Sequence, residues 1–200
     1  MSLVNFTARE ITCKIVYYGP GRSGKTSNLQ YIYSRVPQGR RGRMVSLATK
    51  GDRTLFFDFL PLELGTISGF TTRFQLYTVP GQVYYNATRK LVLQGADGVV
   101  FVADSQARRF DDNLESLQNL QENLLGHGVD IRELPIVFQY NKQDLPSDLI
   151  LSPSELDDAL NFRAVKSYGA DCLSGNGVFE TLRGISELVL KRLAAGSPVA

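Results

Sequence analysis

Residues 11–29 read Ile-Thr-Cys-Lys-Ile-Val-Tyr-Tyr-Gly-Pro-Gly-Arg-Ser-Gly-Lys-Thr-Ser-Asn-Leu, and this stretch decides the fold. Ile11, Cys13, Ile15, Val16, Tyr17 and Tyr18 are β-branched, apolar or aromatic, the composition of a strand buried on both faces. Gly19-Pro20-Gly21-Arg22-Ser23-Gly24-Lys25-Thr26 then matches G-x-x-x-x-G-K-[ST] in full. Ser27 follows, and Leu29, Ile32 and Tyr33 continue at helical spacing. Strand, glycine loop and helix together predict a phosphate cradle. The glycines let successive N–H groups converge on an anion, and the helix N-terminus adds partial positive charge. Lys25 offers a full charge to terminal phosphates, and the Thr26 hydroxyl offers an oxygen ligand to Mg²⁺. A glycine-rich turn ending in a solvated lysine is the plainer alternative, which the flanking strand and helix oppose.

Working outward, residues 36–52 combine breakers with Arg40, Arg41 and Arg43, and read as a long, mobile, basic connection with a short strand at 44–47. Residues 53–60 read as a strand that leaves at Pro61, with 70–79 as its hairpin partner. Residues 83–95 are irregular, then weakly helical. Residues 98–104 and 135–141 are buried strands by composition. A helix is expected over 111–126 with Leu114, Leu117, Leu120, Leu124 and Leu125 on one face. Ser152-Pro153 caps another helix through Leu156 and Leu160, a short strand falls within 162–172, and a helix runs over 178–193. Alternating strands and helices predict an α/β domain with a mostly parallel sheet covered on both faces and one antiparallel hairpin. One domain spans 1–200, with 1–10 an N-terminal extension and 194–200 a flexible tail.

The chain has 200 residues and a net charge of +2, too small to argue for nucleic acid as the main partner. Two cysteines, Cys13 and Cys172, point to a reduced, cytoplasmic protein without a disulfide framework. No run of about 18 apolar residues suggests a membrane span. Ser2 and the Gly-Ser-Pro-Val-Ala end give no acceptor for a lipid anchor.

Ligands of such a sheet bind beyond the carboxyl ends of its strands. There the second buried strand ends in Asn141-Lys142-Gln143-Asp144, an N-K-x-D match. A carboxylate at Asp144 can accept both N–H donors of the guanine edge, with the Asn141 amide on the N7/O6 side. Adenine lacks that donor pair. Alone the motif also fits an exposed turn; beside a phosphate cradle it points to guanine.

Gly19 to Thr26, Thr54, Pro80-Gly81-Gln82 and Asn141 to Asp144, in that order, resemble the motifs of the small Ras-like GTPases. The likeness covers about residues 11–193. Residues 15–21, 53–62 and 76–83 more narrowly resemble the MglA family of bacterial polarity and gliding-motility GTPases. The resemblance implies a P-loop fold, GTP and GDP as substrate and product, Mg²⁺, and slow, partner-activated hydrolysis. It implies that Thr54 and Thr26 hold the metal and that Gln82 orients the attacking water. Arg53 becomes an arginine finger in cis, where residue chemistry alone allows a solvated strand-edge arginine. Asp171-Cys172-Leu173 takes the place of the loop that meets guanine O6 through a backbone N–H. The family opens its D-x-x-G motif with aspartate, but this chain has Thr78, which implies weaker Mg²⁺ coordination; Pro80 implies a switch loop that must rearrange. The implied partners are a roadblock/LC7-domain activator of the MglB type and polarity or motility effectors at a cell pole. Phe56, Phe57, Phe59, Tyr84 and Tyr85 flank both switches and suit a nucleotide-dependent partner surface or the core. His127 reads as a surface loop residue. A nucleotide-bound scaffold that does not hydrolyse, and a P-loop kinase or ATPase, are the alternatives.

Overall fold

A computed structural model describes residues 3–47, 57–67 and 69–196. The strands are β1 (Leu3–Asn5), β2 (Glu10–Tyr18), β3 (Val45–Leu47), β4 (Phe57–Ile67), β5 (Phe70–Thr78), β6 (Gly98–Asp104), β7 (Ile136–Asn141) and β8 (Ser167–Ala170). The helices are α1 (Lys25–Arg35), α2 (Asn86–Leu93), α3 (Phe110–Leu125), α4 (Pro153–Leu160) and α5 (Val178–Gly196). Sheet order is β3-β4-β5-β2-β6-β7-β8, with β1 pairing β2. The β5, β2, β6, β7 and β8 strands are parallel; β3, β4 and β5 pair antiparallel. The mostly parallel sheet with one hairpin is therefore as expected.

Period-two alternation on the central strands feeds two cores. Ile15, Tyr17, Val100, Val102 and Val137 face one side with Leu29 and Ile32 of α1 and Leu182, Ile185 and Val189 of α5. Val16, Tyr18, Val99, Phe101 and Phe138 face the other with Leu117, Leu120 and Leu124 of α3 and Leu156 and Leu160 of α4. A buried polar bridge crosses the first core. Gln139 exchanges amide hydrogen bonds with Asn28 (2.7 and 3.0 Å) and donates to Thr181 Oγ1 (3.0 Å). That bridge fixes α1, and with it the cradle, to β7 and α5.

Four expectations change. Pro61 does not end its strand. The β3 pairing covers only Phe57 to Phe59. Beyond that ladder the edge meets residues 41–42 only through an isolated bridge; there the Pro61 carbonyl accepts Gly42 N–H at 2.9 Å and its missing N–H costs no ladder bond. The basic connection is tied down there too: Arg41 bridges to Leu62 and lays its guanidinium 3.8 Å from the centre of the Tyr33 ring. On α3, Leu114 and Leu125 lie 40% and 74% exposed, because the buried stripe follows Leu117, Leu120 and Leu124. At the ends, the expected N-terminal extension contains β1, and α5 continues to Gly196. His127 is a half-buried loop residue whose Nε2 lies 2.8 Å from the Lys90 carbonyl.

Candidate active site

The carboxyl ends of β2, β6 and β7 come together, as the parallel registers Tyr18–Phe101 and Asp104–Asn141 require. The glycine loop leaves β2 at Gly19, whose φ of +144° belongs to glycine and whose missing Cβ would stand 2.1 Å from the Val102 carbonyl oxygen. A cavity of about 500 Å³ opens over the loop, lined by Lys25, Thr26, Ser46, Asp58, Thr78 and Gly81 among others.

Lys25 is buried, and its Nζ donates to the carbonyls of Gly19 (2.9 Å) and Pro20 (2.6 Å). An ammonium has three N–H groups, so one is left for the cavity. Burial pushes its pKa down to about 7; Arg89 lowers it further and Asp58 opposes. Ser23 Oγ in the same loop is buried without a hydrogen-bond partner among the described residues. A cradle with a spare ammonium donor and an orphan hydroxyl suits an oxyanion.

Asp58 lies at the centre of the site. Its Oδ2 accepts from Thr26 Oγ1 (2.6 Å) and Thr78 Oγ1 (2.8 Å), and its Oδ1 from Ser46 Oγ (2.7 Å). One carboxylate among hydroxyls is a hard, all-oxygen donor set. Mg²⁺ takes such sets, keeping waters and borrowing phosphate oxygens. The group that the opening position of D-x-x-G lacks is supplied by the neighbouring strand.

Arg89 on α2 escaped the sequence reading, since nothing marks one arginine of a weakly helical stretch as buried. It is fully buried, with Nη2 donating to Ser116 Oγ (2.8 Å) and the guanidinium 4.4 Å from the Tyr18 ring centre. Among the described residues its Nε and Nη1 have no hydrogen-bond partner. Arg109, at the start of α3, donates to the Gly21 carbonyl (3.0 Å) and pairs with Asp112 (2.9 Å).

Gly81 presses on the cradle: a Cβ there would lie 2.2 Å from Gly21 Cα. Gln82 follows, exposed, with Oε1 accepting from Tyr84 O–H at 2.9 Å. Tyr84 is 73% exposed, whereas Phe57 and Phe59 pack on Tyr77 with centroids 5.9 and 4.9 Å away. Arg53, Thr54 and Phe56 lie outside the described residues.

The second motif lands on the first. Asn141 Nδ2 donates to the Ser23 carbonyl at 2.8 Å, and its Oδ1 accepts Cys172 N–H at 3.2 Å. Asn141 thus clamps two loops with one amide N–H and its Oδ1, which leaves its second amide N–H unused by these two bonds. Lys142, at φ +75°, reaches back to Asp104 at 2.5 Å. Asp144 is exposed and carries no hydrogen bond or ion pair among the described residues; its charge helps to raise the Cys172 thiol, after burial and Asp171. In the Asp171-Cys172-Leu173 loop every N–H is already paired. Asp171 N–H goes to the Asn176 carbonyl, Cys172 N–H to Asn141, and Leu173 N–H to the Asp171 carboxylate. A base contact from this loop therefore requires Cys172 N–H to exchange its long bond. Both cysteines are buried free thiols pushed up to about 12, chiefly by burial.

The model of the ADP-ribosylation factor family matches residues 60–189. The chain is 56% identical over 196 residues to the mutual gliding-motility protein MglA of Myxococcus xanthus, covering 98% of this chain and all of that protein. This chain belongs to the ADP-ribosylation factor family of small GTPases. Within the family it is also similar to ADP-ribosylation factor-like protein 4D of Mus musculus, 28% identical over 90% of this chain and 85% of that one. ADP-ribosylation factor-like protein 6 of Caenorhabditis elegans is 25% identical over 88% and 86%. Among the described residues no helix is long and apolar enough to cross a membrane.

Proposed function

We propose that this GTPase is a two-state switch that binds GTP and GDP with Mg²⁺, hydrolyses GTP slowly, and is accelerated by a roadblock/LC7-type activator. The observation that carries the reading is the 2.8 Å bond from Asn141 to the Ser23 carbonyl. It ties the glycine loop to the end of the strand that leads into Asp144, which supports reading the two motifs as one site. In this reading loop N–H groups and the Lys25 ammonium take the phosphates, and Asp144 reads the guanine edge. Thr26 and Asp58 hold Mg²⁺, which neutralises phosphate charge when bound, and Thr54 joins them when the first switch orders. Gln82 leaves Tyr84 to orient water, and Arg53 stabilises the charge in transfer. The terminal phosphate orders the switches and hydrolysis releases them. The likeness to a gliding-motility protein supports an output in polarity or motility, with the chain cytoplasmic and recruited to a pole. Exposed Tyr84 beside Gln82 suits a surface that an activator touches.

Single-turnover GTP hydrolysis, measured against rising concentrations of a roadblock-domain partner, tests this. Hydrolysis should accelerate with partner, and Gln82→Leu should remove the acceleration while leaving GTP bound. A Gln82→Leu chain that turns over normally contradicts the reading.

A further inference from the structure

Arg22 is the unassigned cation of the site. It is an exposed residue that lines the 500 Å³ cavity beside Lys25 and Thr26. It also borders a second cleft of about 440 Å³, walled by Asp104, Gln106, Arg108, Arg109 and Lys142. Every other charge there has a partner. Lys142 pairs with Asp104, Arg108 donates to Gln106 Oε1 (2.8 Å), and Arg109 is held by Gly21 and Asp112. Arg22 has no hydrogen bond or ion pair with any described residue. The single carboxylate of the cleft, Asp104, is taken by Lys142 and the Gln106 amide. Asp104 and Asp112 neutralise Lys142 and Arg109; Arg22 also borders a cleft with Asp112 and Glu115 but pairs with none of these carboxylates, and the phosphate cradle lies beside it. Guanidinium and phosphate oxygens match as a two-point pair.

We propose that the Arg22 side chain is a ligand of the nucleotide's phosphates and slows nucleotide release. The inference rests on the guanine-nucleotide reading and deepens it. A loop lysine and backbone donors would then share the polyphosphate charge with a second side chain from the same loop. Because Arg22 sits at φ +63°, glycine can replace it without backbone strain, so the substitution removes the guanidinium and leaves the loop intact.

The test is release of fluorescently labelled GDP into excess unlabelled GDP, for the wild-type chain, Arg22→Gly and Arg22→Lys, at low and high salt. Arg22→Gly should release GDP about tenfold faster at low salt, as expected when a charge-assisted contact is lost. Arg22→Lys should recover part of the difference, and high salt should narrow the gap. The inference is overturned if Arg22→Gly releases GDP within about twofold of wild type, the size of an ordinary surface change. It is also overturned if Arg22→Lys is no slower than Arg22→Gly. A wild-type chain that holds no GDP at all overturns the guanine-nucleotide reading itself, and this inference with it.

Discussion

Thr78 and Asp58 hold each other twice across β5 and β4. Thr78 Oγ1 donates to Asp58 Oδ2 at 2.8 Å and accepts Asp58 N–H at 2.9 Å. Thr26 Oγ1, at the start of α1, reaches the same carboxylate oxygen. The threonine that departs from the D-x-x-G pattern is thus the support for a carboxylate on the adjacent strand.

Asp58→Asn should therefore uncouple nucleotide affinity from Mg²⁺. The gain in GDP affinity on adding Mg²⁺ should shrink by about 10–100-fold, the range for losing a metal-supporting carboxylate. Affinity in chelator should change little. Titrations of GDP with and without Mg²⁺ check this, and an unchanged Mg²⁺ gain counts against Asp58.

Asn141→Ala removes the clamp between the Ser23 carbonyl and Cys172 N–H, leaving a buried acceptor and donor unpaired. The expected loss is about 2 kcal/mol, or a fall in Tm of about 4–8 °C for a chain of this size. Thermal unfolding reads it directly, and an unmoved Tm would show that water or loop movement satisfies both groups.

Gly81→Ala places a methyl group against Gly21, at a distance no carbon tolerates. Backbone cannot yield cheaply there, so the second switch must lift from the cradle and carry Gln82 with it. Hydrolysis should fall by about tenfold or more, because a small misplacement of a positioning group is costly, while GDP binding survives. Comparing turnover with GDP affinity separates the two effects.

Lys25 sets a pH dependence. In the free chain burial, reinforced by Arg89, holds its pKa near 7. Bound phosphate raises that value, so the contribution of the ammonium is fully present below about 7 and is lost as pH climbs through the raised value. GDP affinity should fall above pH 7, by at most about tenfold per pH unit, and binding should take up a proton. Calorimetry in buffers of different ionisation enthalpy measures the uptake. Lys25→Met should bind weakly with a flat profile between neutral and mildly alkaline pH.

Much of this was legible in the chain, because composition and spacing carry it. The run from Ile11 to Tyr18, the loop to Thr26 and the N-K-x-D match each declare a local geometry. The part that was not legible depends on contacts between strands. Asp58 becomes central only when β4 pairs with β5, and no local pattern states that register. That Asn141 also clamps the glycine loop is seen only when the Ser23 carbonyl arrives from across the sheet. Pro61 reads as a strand end unless one knows that β3 stops short of it. Leu114 and Leu125 look like core by leucine spacing alone, and only the packing of α3 shows them outside its buried stripe.

The most direct measurement is equilibrium binding of labelled GDP and ADP to the wild-type chain and to Asp144→Ala. The account predicts strong preference for GDP in the wild type and loss of that preference in Asp144→Ala, chiefly through weaker GDP binding. Equal binding of the two nucleotides by the wild type, or a preference that survives in Asp144→Ala, would contradict it.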